Sequence, residues 1–302
     1  MSTDLSAIVI HYGDANMTRN VVEQFMKLDS VFSRDCIVVD NASPEGFTAF
    51  DYALVLRLSE NRGYAAACNA GAKLARGRFF FVLNNDIDML QNAVTPLIHA
   101  LQHDSGAGAA GPRLHFPDGR FQLSWGDHPT LRSEFLERRR QRESSIGGGS
   151  AFDAREKQSR TAREVDWITG AAMMVKREAW ERVGGFDEQY FFYFEDVDFC
   201  KRLRLAGWRI LYRPEAQLVH VGGASDPMSD PTINAAYRGG QLRYYARFNG
   251  ATTFFLLKAY LTARCLLGTI SGHIDTDTAR ELLRTMRSTS RSKELHDYRR
   301  RA

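Results

Sequence analysis

Two short acidic motifs in this sequence could carry chemistry. The first lies at residues 84–88 (NNDID), where Asp86 and Asp88 are separated by one residue directly after the apolar run 78–83. Two carboxylates at the end of a buried strand can converge on Mg²⁺ or Mn²⁺, with a diphosphate supplying further oxygen ligands. The alternative is a pair of solvated turn residues. An EF-hand is not indicated, because the glycine and the terminal glutamate of that loop are missing.

The second motif places three carboxylates at the predicted start of a helix. Glu195, Asp196 and Asp198 directly follow the aromatic run 190–194 (YFFYF). Acidic residues in a first helical turn can simply cap free N–H groups and interact with the helix dipole. Apolar walls, however, raise the pKa of a carboxyl group and suit it to general-base work. Since capping explains one or two of the three and not the aromatic run, we favour a catalytic role.

Two further polar positions could contact a metal or an anion. His220 precedes a Gly-Gly turn, and a neutral imidazole there would complete a carboxylate metal site, although a lone histidine is more often structural. Arg62 and the N-terminus of the following Ala-rich helix could both face a phosphate, with a plain loop-to-helix cap as the alternative. Neither GxGxxG after the first strand nor GxxxxGK[ST] occurs, which argues against NAD-binding and P-loop proteins.

These motifs need a scaffold, and the first hundred residues alternate between strand and helix patterns. Strands are predicted at 6–12, 36–39, 54–58 and 78–83, and helices at 16–28 and 63–75. Runs that are apolar on both pleat faces indicate a parallel sheet covered on both sides. Such sheets bind ligands beyond the carboxyl ends of their strands. Asp40 lies at one of these ends, and Asp86 and Asp88 lie at another.

The middle of the chain has a different composition. Residues 136–163 are rich in charges and small residues, which predicts a mobile excursion rather than core. Such a loop could close over a substrate, or it could be a passive surface insertion. A helix is then expected from 195 to 206, ended by Gly207, with a strand at 208–212.

The C-terminal part is predicted to be mostly helical from residue 234 onward. Residues 251–270 are very apolar, but Lys258 and Arg264 interrupt them. A spanning helix needs about 20 apolar residues with few or no charges, so we expect an amphipathic helix on a membrane or against the core. From residue 280 to the end there are eight Lys/Arg against three Asp/Glu. This basic tail could contact anionic lipid, or it could be a solvated helical face.

The overall composition is that of an ordinary globular enzyme. The chain has 302 residues, 44% hydrophobic and 25% charged, which excludes disordered, collagen-like and coiled-coil proteins. A formal net charge of +4 does not indicate nucleic-acid binding. The four cysteines are widely spaced, so neither a zinc site nor a disulfide framework is predicted. The first residues lack a basic region followed by a long apolar stretch, so we expect no secretory signal and a cytosolic location.

The motifs taken in order support a family resemblance. The segments that carry it are AIVIHYG at 7–13, VVDNAS at 38–43, NRGYAAACNAG at 61–71, LNNDID at 83–88, and residues 167–225. Together they resemble an inverting family 2 glycosyltransferase with the GT-A fold, and within it the rhamnosyltransferase-like group of bacterial surface-polysaccharide synthesis. The resemblance covers nearly all of residues 6–225.

The resemblance implies an α/β architecture and a division of the chain. The fold would be a Rossmann-like, mostly parallel central sheet flanked by helices, with a C-terminal helical extension. Residues 1–230 would form the GT-A domain, and 231–302 a basic extension that faces a membrane or a partner. Within the domain, 1–105 would bind the nucleotide sugar and 106–230 would carry the acceptor and catalytic half.

The resemblance also implies roles for individual residues. Donor binding falls to His11, Tyr12, Asp40, Arg62, Gly63, Asn69 and Asp86, with Asp40 at the nucleobase and Asp86 at the ribose. Asp88 and His220 would hold a divalent metal, Mg²⁺ or Mn²⁺. Asp196 would be the general base, supported by Glu195. Trp167, Thr169 and Gly170 would border the acceptor. Two positions depart from the family pattern, Gly13 in place of the usual Asn and Asn85 in place of the usual Pro.

The implied reaction moves a sugar from a nucleotide diphosphate to a hydroxyl group, with inversion in a single displacement. The best-fitting donor is dTDP-L-rhamnose, with UDP-linked galactose, glucose or N-acetylhexosamine still open. The acceptor would be a glycan or a polyprenyl-diphosphate-linked sugar at the cytoplasmic face of a bacterial inner membrane, and a homodimer is left open. One alternative is a sugar-1-phosphate nucleotidyltransferase, which would need a Gly-rich, Arg-containing loop after the first strand. Another is a non-catalytic scaffold, which loss of Asp88 or Asp196 would have favoured.

Overall fold

A ten-stranded mixed sheet forms the centre of the protein. The computed structural model describes residues 3–28, 31–48, 50–89, 92–134, 136, 139, 143, 149–222 and 231–290. The strands are β1 (Leu5–His11), β2 (Arg34–Asp40), β3 (Leu54–Arg57), β4 (Phe79–Asn84), β5 (Ile87–Asp88), β6 (Ala107–His115), β7 (Phe121–Gln122), β8 (Trp125–Gly126), β9 (Arg163–Val165), β10 (Trp167–Ile168), β11 (Ala172–Lys176) and β12 (Arg209–His220). Their order in the large sheet is β3-β2-β1-β4-β11-β6-β12-β5, with β7 beside β6 and β9 beside β12.

Helices pack on this sheet and continue beyond it. Their bounds are α1 (Ala15–Lys27), α2 (Tyr64–Leu74), α3 (Val94–His103), α4 (Ser150–Gln158), α5 (Arg177–Val183), α6 (Glu195–Leu205), α7 (Pro231–Phe248), α8 (Ala251–Ile270) and α9 (Thr276–Ser288). The expected strand and helix alternation of the first hundred residues is confirmed, because β1, α1, β2, β3, α2 and β4 follow one another in that order.

The sheet is parallel in its first half and mixed in its second. β3, β2, β1 and β4 run parallel, so the carboxyl ends of β2 and β4 meet at one edge. β11 then runs antiparallel between β4 and β6, with Ala172 opposite Leu83. β12 is parallel to β6 and antiparallel to β5, which places His220 opposite Ile87. The two halves therefore bring their polar strand ends to the same place.

Two apolar layers hold the sheet, one on each face. Alternate residues of β1 divide between them, with Ala7 and Val9 in one layer and Ile8 and Ile10 in the other. These side chains are 0–5% exposed, so burial on both faces explains the continuous apolar runs in the sequence. A helix-covered, two-faced sheet of this kind is the α/β class that the sequence predicts.

Part of the segment predicted as an excursion is helical and packed. α4 lies within residues 136–163, and its Arg155 is only 3% exposed. The Arg155 guanidinium lies over the Trp125 ring at 4.2 Å and contacts Asp127 at 3.3 Å. The low apolar content of the segment did not predict this packed helix, because a stacked arginine can take the place of an aliphatic core residue. Residues 135, 137–138, 140–142 and 144–148 lie outside the described residues, and the mobility of the segment stays a prediction.

The last three helices share a core with the segment that leads into α6. α7, α8 and α9 pack around Leu242, Leu261 and Leu282, together with Phe194 and Val197 from the earlier chain. By length and composition α8 could cross a membrane, yet its inner face is buried in this cluster. The C-terminal helices therefore contact the region of the second acidic motif directly.

Candidate active site

The second acidic motif opens α6, as the sequence predicts. Glu195, Asp196 and Asp198 all lie in the first turn of this helix. They differ in their surroundings. Asp198 is fully buried, where it pairs with Arg202 and with Arg247 of α7 at 2.9 Å. Asp198 is therefore a structural ion-pair partner, and only the first two carboxylates remain as candidates for chemistry.

Asp196 is held in place by backbone donors. Its Oδ2 accepts a hydrogen bond from the Gly170 N–H at 2.9 Å, and its Oδ1 accepts one from the Val197 N–H at 2.8 Å. Burial raises the pKa of the Asp196 carboxyl by more than these donors lower it. A positioned carboxylate with a raised pKa has the properties of a general base.

Glu195 lies beside Asp196 in an apolar setting. It is 5% exposed, and its Oε2 has no hydrogen-bond partner among the described residues. Burial, and then the negative charge of Asp196, raise the pKa of Glu195 well above its usual range. The pair thus holds protons more tightly than isolated carboxylates do.

The first acidic motif brings Asp86 to His220. The Nε2 atom of His220 lies 3.2 Å from Asp86 Oδ1, and both side chains are largely buried. Gln122 contacts the other ring nitrogen, Nδ1, so the ring is oriented with Nε2 toward the carboxylate. Burial raises the pKa of Asp86, but the His220 ring and the Gly222 N–H together lower it by more, so the pKa of Asp86 lies below its usual value.

These two side chains fit a divalent cation. Asp86 Oδ1 is buried and faces the Nε2 atom of His220 at 3.2 Å, so one carboxylate oxygen and one imidazole nitrogen lie side by side. A metal-binding histidine commonly has its second nitrogen fixed by an outer partner, which is the position of Gln122. Within the described ranges no third His, Cys, Asp or Glu joins them, so further ligands would come from a bound diphosphate.

Asp88 is not the partner that the sequence analysis assigned to His220. Its carboxylate accepts a hydrogen bond from Gln24 of α1, and its backbone pairs with Val219 in β5–β12. The structure instead brings His220 to Asp86, which the sequence analysis had placed at the ribose. The register of β12 against β5 causes this exchange, because it leaves Asp86 in the turn ahead of β5, next to the end of β12.

Asp196 and the Asp86–His220 pair are linked by hydrogen bonds between the end of β4 and the loop before β11. The Asn84 N–H at the end of β4 donates to Ala171 O at 2.9 Å, and Ala171 follows the residue that binds Asp196. The amide of Asn84 also lies 3.3 Å from His220 Nε2. Both halves of the site therefore meet at the carboxyl edge of β4.

The residues expected at the nucleobase are close together but engaged with the chain. Asp40 is fully buried at the end of β2 and accepts hydrogen bonds from the N–H groups of Ser43 and Phe47 and from Arg57. Because the side chain is fully buried, a nucleobase can reach this carboxylate only if the chain around it moves. The structure thus shows Asp40 holding the loop after β2.

His11 and Tyr12 lie at the neighbouring end of β1. His11 is buried, with Nδ1 2.7 Å from Thr18 Oγ1 and its ring 5.0 Å from that of Phe47. Burial lowers the pKa of His11, although the charge of Asp40 opposes this. Tyr12 is half exposed beyond the strand and is free to form a pocket wall.

Residues 61–71 contact the segment 186–191 of the same protein. Gly63 has φ +87°, and a side chain there would collide with the carbonyl oxygen of Phe191. That oxygen accepts the first helical N–H of α2, from Tyr64, at 2.8 Å, so this one N–H group of the helix N-terminus is already bound within the protein. Arg62 pairs with exposed Glu188 at 2.9 Å, and Asn69 also contacts Glu188. The nucleotide contacts expected of Arg62, Gly63 and Asn69 therefore stay predictions.

The expected acceptor residues border the base. Trp167 donates its indole N–H to Asp127 O at 3.0 Å, which fixes the ring beside the β8–β10 ribbon. The Thr169 N–H donates to Ser124 O at 2.9 Å, and Gly170 binds Asp196 directly. The structure therefore brings Gly170 to Asp196, with Thr169 and Trp167 preceding it in the chain, and their role at an acceptor stays a prediction.

The sequence analysis missed three side chains that support the site. Gln122 orients His220, Gln24 binds Asp88, and the Tyr64 hydroxyl donates to Gly170 O at 2.7 Å. No local pattern distinguishes the two glutamines, because their contacts join segments 64 and 98 residues apart. Tyr64 belongs to the NRGYAAACNAG segment, one of the segments that carry the family resemblance, and this was the available signal.

Comparison with known proteins identifies the family. The Glycosyl transferase family 2 model matches residues 6–183, more than half of the chain, and includes the β4 acidic motif. The chain belongs to glycosyltransferase family 2. A second model, Glycosyltransferase like family 2, matches residues 151–245 of this glycosyltransferase and includes Asp196 and His220.

Curated relatives of the glycosyltransferase act in glycan synthesis. N-acetylglucosaminyl-diphospho-decaprenol L-rhamnosyltransferase of Mycobacterium tuberculosis is 29% identical over 214 residues, which are 61% of this chain and 65% of that protein. Rhamnosyltransferase WbbL of Escherichia coli K12 is 48% identical over 56 residues, 18% of this chain and 21% of the relative. The chain therefore spans less than two thirds of the length of these relatives.

Solved structures show the same fold at low identity. GalNAc-T7 with UDP, GalNAc and Mn²⁺ has a TM-score of 0.62 at 13% identity, covering 99% of this chain and 54% of that one. The mannosyltransferase PcManGT of Pyrobaculum calidifontis with GDP-Man and Mn²⁺ has a TM-score of 0.54 at 18% identity, covering 100% and 84%. The glycosyltransferase thus has the GT-A fold that the resemblance implied.

Proposed function

We propose that the glycosyltransferase inverts the anomeric carbon of a nucleotide sugar in one displacement, with Asp196 as general base. The observation that carries this proposal is the hydrogen bond from the Gly170 N–H to Asp196. The next residue, Ala171, accepts the N–H of Asn84 at the end of β4, and Asp86 follows Asn84 by two residues. An inverting transfer needs a base for the acceptor hydroxyl and a charge-neutralising site for the leaving diphosphate. The two halves of this site are suited to those tasks.

Asp196 would take the proton of the acceptor hydroxyl. The hydroxyl oxygen would form the new bond to the anomeric carbon while the bond to the diphosphate oxygen breaks. Glu195 would support Asp196 from the same first turn of α6: burial and the charge of Asp196 raise the pKa of Glu195 well above its usual range, so the negative charge of the pair stays on Asp196. Trp167 and Thr169 would border the acceptor sugar; the support is that they directly precede Gly170, which binds Asp196.

Asp86 and His220 would hold a divalent cation, Mg²⁺ or Mn²⁺. When bound, that cation neutralises charge on the leaving diphosphate. The fit of the pair supports this assignment, as do the Mn²⁺ ions named with both GT-A neighbours. Asp88, bound to Gln24, would position the turn that carries Asp86.

The donor we propose is dTDP-L-rhamnose, and the acceptor a glycan or polyprenyl-diphosphate-linked sugar. The support is the resemblance to rhamnosyltransferases, one of which is named for a decaprenol-linked acceptor. His11, Tyr12 and Asp40 lie at adjoining ends of β1 and β2, where they would surround the nucleobase. Contact with Asp40 would require the residue 43–47 loop to shift, because its N–H groups occupy the carboxylate.

We further propose that the outer face of α8 rests on a lipid bilayer at the cytoplasmic side of the membrane. Phe255, Leu256, Tyr260, Leu266, Leu267 and Ile270 are each 47–83% exposed on this helix. An exposed apolar face flanked by basic chain is typical of interfacial helices. The excess of Lys/Arg after residue 280 complements anionic headgroups.

Vesicle binding tests this surface. We expect the full chain to sediment with vesicles containing phosphatidylglycerol and Leu267→Glu to weaken that binding. Val31→Glu, a charge placed at another exposed apolar residue, should leave binding unchanged. Equal binding by all three proteins would remove α8 from the membrane contact.

A panel of nucleotide sugars tests the proposed activity. The purified chain is incubated with dTDP-L-rhamnose, UDP-glucose, UDP-galactose or UDP-N-acetylglucosamine, Mn²⁺ or Mg²⁺, and a polyprenyl-diphosphate-linked N-acetylglucosamine. Transfer from dTDP-L-rhamnose with inverted product stereochemistry supports the proposal. Transfer with retention, or pyrophosphate release from a nucleoside triphosphate, would contradict it.

A further inference from the structure

The backbone just before the base is held in an unfavourable conformation. Tyr193 and Phe194 have φ +70° each, a region that non-glycine residues rarely adopt. Phe194 is the residue that caps α6, so the two torsions set the direction in which Glu195 and Asp196 leave the loop. Strain of this kind persists only when the surrounding structure holds it, and it is concentrated at functional sites.

Helix α7 supplies the contacts that hold this pair. The Tyr237 ring lies 5.6 Å from Tyr193 and 5.2 Å from Phe194, and the Tyr244 ring lies 6.0 Å from Phe194. The two Tyr237 contacts are edge-to-face and the Tyr244 contact is tilted, and aromatic pairs at these separations are favourable. The two α7 tyrosines are seven residues apart and therefore lie on one face of the helix.

Gly240 lies on the same face, between those tyrosines, and lets the backbones meet. A Cβ atom at this position would lie 2.8 Å from Tyr193 O and 3.3 Å from the Phe194 Cβ. The first contact is with backbone, which cannot rotate away as a side chain can. Any residue larger than glycine at 240 would therefore displace the strained pair.

A charged contact fixes α7 to α6 one further turn along. Arg247 contacts Asp198 at 2.9 Å and Asp187 at 2.8 Å, and Asp198 is fully buried. Asp198 lies two residues after Asp196 in the same helical turn. The position of α7 against the start of α6 is thus fixed by the aromatic contacts at one end and by the Arg247–Asp198 ion pair at the other.

We propose that α7 is a brace that positions the general base: Tyr237, Gly240 and Tyr244 keep Tyr193 and Phe194 in the left-handed conformation that points Asp196 at Gly170. The proposal rests on Asp196 being the base. It makes these α7 residues positioning residues, although they belong to the C-terminal helices.

The neighbouring glycine gives a matched control. Gly239 lies in the same helix, and a Cβ there would meet only Thr285 Cγ2 of α9, at 3.2 Å. Gly239→Ala and Gly240→Ala therefore change helix propensity equally. They differ in whether the new methyl group meets a side-chain methyl or the Tyr193 backbone.

The experiment compares the two variants with wild type in the full chain. One measurement is kcat and KM for sugar transfer; the other is hydrogen exchange of the Gly170 amide by NMR, which reports the bond to Asp196 without needing activity. We expect Gly240→Ala to lower kcat on the order of 10²-fold, as a misplaced catalytic group does, with the donor KM unchanged. Its Gly170 amide should exchange faster, and Gly239→Ala should match wild type in both.

The outcomes separate the brace from the proposed activity. Equal kcat and equal Gly170 exchange in the two variants would overturn the brace. If wild type transfers no sugar but only Gly240→Ala speeds Gly170 exchange, the activity assignment fails and the brace stands. Should Gly240→Ala not fold, Tyr237→Leu removes both ring contacts without adding an atom near the backbone, and the same two readouts apply.

Discussion

Gly170 donates its backbone N–H to Asp196 Oδ2 at 2.9 Å, and this bond joins the loop between β10 and β11 to the start of α6. The carbonyl of the same glycine accepts the Tyr64 hydroxyl at 2.7 Å. The peptide groups around Gly170 are thus held from α6 and from α2. Asp196, which we propose as the base, and the β10–β11 loop, which we propose borders the acceptor, are thus joined directly by a hydrogen bond.

Asp196→Asn should abolish transfer while donor binding is kept. The amide retains the shape of the carboxylate and can still accept from Gly170, but it cannot take the acceptor proton. We expect kcat to fall by at least about 10³-fold, within the range typical of a lost general base. Calorimetry with dTDP or UDP should give wild-type affinity, and a variant with full transfer activity would disprove the role of Asp196.

Activity should rise with pH through the titration of the Asp196 carboxyl. The base works only when deprotonated, and burial raises its pKa above the usual value of about 3.9. At acidic pH the protonated fraction grows, so kcat/KM should fall with an apparent pKa higher than that of a free aspartate. A pH–rate profile from pH 4 to 8 measures this. A flat profile down to pH 4 would argue against a buried carboxylate base.

Metal-dependent nucleotide binding should depend on Asp86 and His220 and less on Asp88. We expect Asp86→Asn and His220→Ala to lose the part of dTDP or UDP affinity that Mn²⁺ adds. Gln122→Leu frees the His220 ring and should weaken that part by roughly 10- to 100-fold. Titration calorimetry with Mn²⁺ and with EDTA measures the difference.

Asp88→Asn is the matched comparison for the metal site, because it removes a neighbouring carboxylate that contacts Gln24. If Asp88→Asn changes the Mn²⁺-dependent nucleotide affinity little while Asp86→Asn and His220→Ala change it strongly, Asp86 and His220 are supported as the metal ligands. The reverse ranking would return the metal to Asp88 and contradict the proposed pair.

Replacing Asp198 by Asn should destabilise the fold strongly. Asp198 is fully buried between Arg202 and Arg247, so the change leaves two cations without their shared carboxylate. Breaking a buried ion pair costs about 3–5 kcal/mol. Urea denaturation should show a loss of this size. Asp187→Asn, at a more exposed partner of Arg247, should cost less than Asp198→Asn, and equal losses would contradict the buried network.

The strands β1 to β4 could be predicted from the sequence because each is a short apolar run bounded by polar residues. β12 was predicted only as residues 208–212, although it continues to His220. Pro214 interrupts the pattern, and the strand tolerates it at a register shift between Arg213 and Gln217. The two-residue strands β5, β7, β8 and β10 are too short for any periodicity, so only tertiary pairing defines them.

The site residues could be located from strand ends, but their partners could not. Asp86, Asp196 and His220 were all recognised from their positions beside apolar segments. The choice of Asp86 over Asp88 as the neighbour of His220 follows from the β5–β12 register, a contact across more than 130 residues. The internal contacts of Asp40 likewise depend on how residues 43–47 close over it.

Glu195→Gln should stabilise the protein at neutral and higher pH. Burial and the charge of Asp196 raise the pKa of Glu195 in the folded state, so the folded chain binds this proton more tightly than the unfolded chain. The resulting stability is present below the unfolded pKa of about 4.3 and is lost as pH rises through the folded pKa. Glutamine keeps the shape without the buried charge. Denaturation at pH 5 and pH 8 should therefore show a gain for Glu195→Gln that is larger at pH 8, whereas Glu178→Gln, at a largely exposed carboxylate, should show no such difference. A Glu195→Gln variant that is less stable than wild type at pH 8 would mean that the ionised carboxylate has a stabilising partner.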